Sequence, residues 1–388
     1  MLDTTYFLSK YHTFKASTIE SRYITNAHIE PLLNSLSNQF NQTILGTSEA
    51  GLPIHGIRIG SGSKRILIWS QMHGNESTTT KAIFDLFNYF EFSDSEALLK
   101  TCTLFIIPIL NPDGAEVYTR FNHNQIDLNR DAKGLTQSES QILRTAYVSF
   151  KPHFCFNMHG QRTIFSAGNT RNSAVLSFLS PSENEERTLT VTRQKSMEII
   201  QIMNRALQPY LPKQIGRYDD SFNSNCVGDY FQSQGTPTVL FEAGHFPQDY
   251  KREETRKYIA LALMSALDYV AHNSVSGVDY KSYFDIPEND KLFYDVIIRN
   301  TCLNPDHPEI FNDIGIQYSE VLVSGSIALK PKVISVGNLN NKHGHYELDA
   351  EFKHVSHPHF KVLSEGNEID FIMLEFSKKP LFGNNNLI

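Results

Sequence analysis

Two nearly unbroken apolar runs stand out when hydrophobic and polar positions are followed along the chain: Arg65 to Met72 (RILIWSQM) and Thr101 to Leu110 (TCTLFIIPIL). Runs of this length without alternation mark strands buried on both faces. Between them, Ala82, Ile83, Leu86, Phe87 and Phe90 recur at the spacing of one helical face, so Ser77 to Phe90 reads as a helix. Strand, helix and strand in that order predict a crossover unit. Upstream, a helix is expected around Ala27 to Leu36. Thr43 to Gly60 alternates apolar and polar residues around the turn sequence Glu49-Ala50-Gly51-Leu52-Pro53, the pattern of a hairpin.

The alternation of elements continues. A helix is expected over Ser138 to Val148, a strand over Phe154 to Met158 and a long helix from about Asn184 to Leu207. A strand at Thr238 to Glu242 and a helix from Asp249 to about Ala271 complete the series. Strands and helices alternating at these lengths predict an α/β/α sandwich with a mixed, mostly parallel central sheet. This domain is placed at residues 1–272, with 1–42 as a helical N-terminal extension. Beyond the polar stretch His272 to Val278 the texture changes to short alternating segments: Phe293 to Ile298, Ile314 to Val323, Lys332 to Val336 and Phe360 to Leu363. Gly, Asn and Pro punctuate them, so residues 283–388 read as a small all-β C-terminal domain.

Composition narrows the function classes. A chain of 388 residues exceeds what one core usually fills, in keeping with two domains. A formal net charge of -7 gives no electrostatic reason to expect nucleic acid or an anionic membrane as partner. Cys102, Cys155, Cys226 and Cys302 are far apart without CxxC spacing and read as reduced core cysteines. With no apolar leader or run of membrane-spanning length, the expected location is the cytoplasm.

The candidate chemistry sits at strand ends. Directly after the first apolar run comes His73-Gly74-Asn75-Glu76, a histidine and a carboxylate that can converge on one metal if the backbone turns sharply, as Gly74 permits. By itself the pair means little, since the composition produces about one or two such pairs by chance, and Glu76 could simply favour the first turn of the following helix. Position changes the odds, because ligands of open α/β sheets gather beyond the carboxyl ends of strands. The next strand runs into Asn111-Pro112-Asp113-Gly114, then Arg120 and Asp127-Leu128-Asn129-Arg130-Asp131. A further strand ends in Asn157-Met158-His159-Gly160, and the last in Leu240-Phe241-Glu242-Ala243-Gly244. An acid that closes the apolar run Val239-Leu240-Phe241 needs a reason to be there, since burying a charge is costly.

In this order the segments resemble the zinc carboxypeptidase family of metallopeptidases. HGNE is similar to its His-x-x-Glu, NPDG with the following arginine and DLNRD to its substrate-binding stretch, NMHG to its third-ligand strand and FEAG to its catalytic-glutamate strand; the match spans about Thr43 to Ala271. The resemblance implies one Zn2+ per catalytic site, held by His73, Glu76 and His159. Two imidazoles and a carboxylate leave a fourth position for water, the arrangement of a catalytic site. It further implies Asp127 as the anchor of the first histidine, though an Asp there also suits a turn cap. Glu242 would be general base and acid for a zinc-bound water, Arg120 would stabilise the oxyanion, and Arg130 with Asn129 would hold a substrate carboxylate. Arg162 has no family counterpart and is kept as a candidate substrate contact. The expected activity is hydrolysis of an amide bond next to a free carboxylate, on a peptide or acylamino-acid substrate.

The chain also departs from the family pattern. Where digestive members place a mobile tyrosine, Ser221 falls, with Tyr218 nearby. Val227 and Gly228 stand where the side-chain selector lies, and neither supplies an acid that would choose Lys or Arg ends. The 83 residues from Glu76 to His159 are fewer than in digestive members. That compactness and the appended β-domain resemble the desuccinylase and aspartoacylase relatives, so a small N-acyl amino-acid amidohydrolase is the second reading. A non-catalytic peptide-binding relative is the third. His343, His345, His354, His357 and His359 are expected to be solvated surface residues unless two strands bring several of them to one acid.

Overall fold

The run beginning at Arg65 becomes a central strand whose alternating side chains divide the interior in two. Ile66 and Ile68 enter one apolar core, while Leu67 and Trp69 enter another, because successive side chains of a strand point to opposite faces. The computed structural model describes residues 2–92 and 95–381. In chain order the strands of the main sheet are β1 (Asn41–Thr47), β2 (Pro53–Ile59), β3 (Lys64–Ser70), β4 (Cys102–Ile107) and β5 (Phe154–Gly160). A short β6 (Phe165–Ala167) lies outside it, and β7 (Leu176–Leu179), β8 (Ile215–Arg217) and β9 (Thr238–Ala243) complete it.

Across the sheet the order is β1-β2-β4-β3-β5-β9-β7-β8. The four inner strands β4, β3, β5 and β9 are parallel. The hairpin β1–β2 closes one edge antiparallel, and β7 runs antiparallel to β9. The sheet is therefore mixed and mostly parallel, as the two-face apolar runs predict. Helices α1 (Thr4–Phe14), α3 (Thr78–Phe92), α7 (Val191–Leu207) and α9 (Glu253–His272) supply the first core, which holds Phe7, Phe87, Met203 and Leu263. Helices α6 (Ser138–Phe150) and α8 (Val227–Ser233) cover the other face through Leu143, Phe150 and Phe231. Short helices α2 (Asn26–Ser35), α4 (Glu96–Thr101) and α5 (Pro112–Glu116) connect these elements.

Two expectations need correction. The long helix begins at Val191 and not near Asn184, because Thr190 takes an extended conformation and its side chain accepts a hydrogen bond from Arg193 N, a helix-starting cap. Phe360 to Leu363 is not a strand. It follows Pro358 in a turn closed by the isolated bridge between His357 and Phe360.

By internal packing the chain divides into two compact units, one made of the residues up to Gln161 with Ala174–Asn289, the other of Arg162–Ser173 with the residues from Asp290 onward. The stretch 162–173, which interrupts the first unit in chain order, is not set apart by its sequence pattern. Besides β6, which pairs with β10 (Asn289–Lys291), the second unit has a four-stranded sheet. It is built of β11 (Phe293–Cys302), β12 (Phe311–Val323), β13 (Ser326–Gly337) and β14 (His343–Asp349), in the order β13-β12-β11-β14. A three-stranded sheet of β15 (Val355–Ser356), β16 (Phe371–Leu374) and β17 (Ser377–Pro380) follows. Val296, Ile298, Ile314, Ile316, Val333 and Ile372 form its own core.

Candidate metal centre and active site

After β3 the backbone turns at Gln71, which has a positive φ of 50°, and His73 and Glu76 follow in a tight turn in which Glu76 N donates to His73 O at 3.0 Å. Gly74 is needed there for close approach, since a Cβ would come within 2.0 Å of the Gly114 carbonyl carbon. The Asn111-Pro112-Asp113-Gly114 sequence thus has a local physical role. Asn111 caps α5 by accepting from Gly114 N at 2.8 Å, and its amide donates to Met72 O at 3.2 Å, locking the turn against the next strand end.

Strand β5 delivers His159 beside this turn. His73 Nδ1 lies 3.0 Å from Glu76 Oε1, and His159 Nδ1 lies 2.9 Å from Glu76 Oε2 and 3.0 Å from His73 Nδ1. Ligand atoms from all three residues fall within 4.8 Å of one another, the one such group of three or more His, Cys, Asp or Glu found among the described residues. Both histidines are buried. The donor set fits a zinc ion, with two imidazole nitrogens and one carboxylate facing a common point. Burial lowers the His73 pKa, but Glu76 and Asp127 outweigh it and draw positive charge to this imidazole. Burial, partly opposed by Glu76, lowers the pKa of His159 to about 4 and keeps it neutral. The two histidines hold Glu76 well below the usual carboxylate range against its own burial.

Asp127 contacts His73 and also caps a turn. Its Oδ1 lies 3.1 Å from His73 Nε2 and also accepts from Asn129 N at 2.9 Å, capping the short turn Leu128–Arg130. Arg120 is drawn into the same cluster: Nε donates to Asp127 Oδ2 at 3.0 Å, and Nη1 lies 3.4 Å from Glu76 Oε1 and 3.2 Å from His73 Nδ1.

Glu242 stands directly opposite His159 in the parallel pairing of β9 with β5. Its Oε2 is shielded and accepts no hydrogen bond. Burial and then the negative charge of Glu76 raise its pKa well above the ordinary value, with Arg120 opposing. Desolvation and a neighbouring carboxylate both make this carboxyl hold its proton more tightly than a solvated one.

Asn129 and Arg130 are not hydrogen-bonded to the His–Glu–His cluster. They join the start of α8: Asn129 Oδ1 accepts from Val227 N at 3.1 Å, and the exposed Arg130 donates through Nη1 to Cys226 Sγ at 2.9 Å. Asn225, absent from the sequence reading, clamps the same loop by donating to Arg130 O and accepting from Lys133 N. Cys226 is therefore not a core cysteine as expected, although burial raises its thiol pKa to about 11, Arg130 opposing. Ser221 is exposed, its hydroxyl bonded to Asp219 at 2.5 Å and to Arg187 at 3.0 Å. The Tyr218 phenol is pushed up by burial and then by Glu242 and Glu76, so its hydroxyl feels both carboxylates. Arg162 is exposed and belongs to the second unit.

The fold is of the kind seen in metallocarboxypeptidases, and the first unit carries a candidate metal-binding triad. Residues 25–155 match the zinc carboxypeptidase family model, a stretch that contains His73, Glu76, Arg120, Asp127, Asn129 and Arg130, with His159 and Glu242 beyond it. Among curated relatives, "Probable carboxypeptidase 2" of Trichophyton verrucosum is 28% identical over 112 residues, covering 28% of this chain and 21% of that protein. Carboxypeptidase 2 of Trichophyton rubrum is 27% identical over 101 residues, 25% of this chain and 19% of that protein. The match thus spans about a fifth of the length of these relatives. The fold is similar to the metallo-carboxypeptidase of Burkholderia cenocepacia, at TM-score 0.51 and 19% identity over 63% of this chain and 68% of that one. Resemblance to the zinc carboxypeptidase family therefore holds in sequence over residues 25–155 and in fold over a larger part of the chain.

Proposed function

We propose that this chain is a zinc-dependent metallopeptidase that hydrolyses an amide bond next to a free carboxylate. The observation that carries the reading is the convergence of His73, Glu76 and His159 ligand atoms within 4.8 Å, with Glu242 on the neighbouring strand. These three residues would hold one Zn2+. Bound there, the ion supplies Lewis acidity, polarising a carbonyl and lowering the pKa of a coordinated water to about 7. Asp127 accepts from His73 Nε2, which fixes the tautomer that leaves Nδ1 free as a donor atom. Glu242, raised in pKa by burial and by Glu76, takes a proton from the attacking water and returns it to the leaving amine. Arg120, already beside the ligand set, stabilises charge developing on the carbonyl oxygen. Arg130 and Asn129 receive the substrate carboxylate, a task suited to the exposed guanidinium fork.

The separate β-rich unit is what supports the second reading, a small N-acyl amino-acid amidohydrolase using the same groups. We also propose action in the cytoplasm. All four cysteines are unpaired, the usual state in a reducing compartment. Among the described residues no helix is long and apolar enough to cross a membrane. The test of the mechanism is Glu242→Gln. Zinc content should stay at about one ion per chain while turnover falls by roughly 10²–10⁴-fold, and undiminished turnover would sink the role given to Glu242.

A further inference from the structure

We propose that the N-terminal segment around Ala16 to Ile24 is a strap that positions the metal-binding turn, acting through Gln71 and Ser77 as positioning residues. The inference rests on the zinc reading of His73, Glu76 and His159, and the strap lies before the matched family stretch, which begins at residue 25.

Gln71 and Ser77 bracket the two ligands that share a turn, and both are buried. Gln71 holds a left-handed backbone, with φ 50°, that a residue with a side chain keeps only when its surroundings enforce it. Those surroundings are specific. Its Nε2 donates to Gly74 O at 2.8 Å, inside the turn, and to Ile24 O at 2.7 Å, outside it, while Oε1 accepts from Thr80 at 2.8 Å. On the other side of the ligands, Ser77 Oγ donates to Arg22 O at 2.5 Å. Two carbonyls of the strap, two residues apart in the chain, therefore satisfy the two buried side chains that flank His73 and Glu76. Without them, one N–H of the Gln71 amide and the hydroxyl of Ser77 would lose their partners, a cost that favours rearrangement of the turn.

The strap is itself anchored at a distance from the metal site. Ala16 N donates to Asp85 Oδ1 at 2.8 Å, and Arg256 donates to Ala16 O at 2.9 Å and to Ile19 O at 2.7 Å. Asp85 and Arg256 form a fully buried pair, further joined by Tyr11 at 2.6 Å. Ser21 N donates to Glu253 at 3.0 Å. A continuous series of hydrogen bonds thus runs from the α3 and α9 core through residues 16–24 to the turn that carries two ligands. Groups that orient metal ligands at one remove govern metal affinity as well as geometry.

The experiment uses the full chain and zinc alone, titrated in competition with a chromophoric chelator, with the absorption bands of the Co2+-loaded protein as a report of ligand geometry. Gln71→Met and Ser77→Ala remove the two donors, and Tyr269→Phe, which removes a hydroxyl bond to Glu198 elsewhere in the first unit, controls for general loss of stability. Zinc should bind about 10-fold or more weakly to Gln71→Met, by analogy with other supporting groups of metal ligands, and more weakly to Ser77→Ala by a smaller factor. The cobalt bands should shift in both, and Tyr269→Phe should change neither reading. If Gln71→Met does not fold, Ser77→Ala decides. Wild-type-like zinc affinity and cobalt bands in the folded variants overturn the strap, as does equal weakening in Tyr269→Phe. A wild-type chain that binds no zinc overturns the metal reading itself and is told apart by that result.

Discussion

Histidines of the two units meet different fates. In the first, His73 and His159 turn their Nδ1 atoms to within 3.0 Å of each other across a shared carboxylate. In the second, five histidines lie between residues 343 and 359, yet among the described residues they join no group of three or more potential ligands. His345 stacks on Phe293 with ring centres 4.6 Å apart and reaches Thr163 O at 2.8 Å. His354 reaches Cys302 O at 3.1 Å. His357 packs against Phe360 and Phe371, with Asp370 4.0 Å away. The crowding of histidines along the chain would favour the second unit as the metal site. Convergence with an acid favours the first, because a metal needs several donor atoms facing one point.

The comparison can be broken most sharply by deleting a histidine from each unit. His159→Ala should reduce zinc, measured by elemental analysis, from about one ion per chain to nearly none, whereas His345→Ala should leave it unchanged; the opposite pattern would reverse the assignment. Next in size is Asp127→Asn, which keeps the side chain's shape but weakens the anchor of His73. A 10- to 100-fold rise in the zinc dissociation constant is expected, read by chelator competition. His357→Ala should leave zinc in place and cost about 1–3 kcal/mol by removing a buried ring, measured by denaturant unfolding.

The smallest effect is in acid sensitivity. Burial, with His359 adding to it, lowers His357 below its ordinary 6.5. The native second unit thus prefers the neutral ring, and this preference costs stability as pH falls from about 6.5 toward the depressed value. In the first unit, burial raises Glu253, but Lys81 and Arg256 outweigh it and hold its pKa at about 2, below the ordinary 4.5. Its contribution is complete above 4.5 and is lost only as pH falls toward 2. Lys81 itself is pulled to about 8 by burial despite the same partner. Glu253 sets the acid response of the pair, because the lysine stays charged throughout that range. Amide exchange at pH 5.5 should therefore speed up in β16 before it does so in α9. The reverse order would contradict these assignments.

Much of this was legible in the chain because it rested on long patterns. The runs at Arg65 and Thr101 and the face from Ala82 to Phe90 are strongly periodic, and the strand ends list their polar residues in order. Strands β7 and β8, at Leu176–Leu179 and Ile215–Arg217, are too short for periodicity to register. The surroundings of the site were hidden for another reason. Gln71, Asn225 and the contact between Arg130 and Cys226 depend on loops brought together from distant parts of the chain. The same holds for His357, expected in solvent but buried among aromatic rings supplied by its own turn and by β16.

The most direct test of the central claim is to incubate the zinc-loaded chain with a mixture of peptides and N-acyl amino acids and identify the products by mass spectrometry. Single C-terminal residues should be released from peptides, and a zinc chelator should abolish the release. Release of succinate, aspartate or acetate alone, or no turnover by the intact zinc form, would contradict that claim.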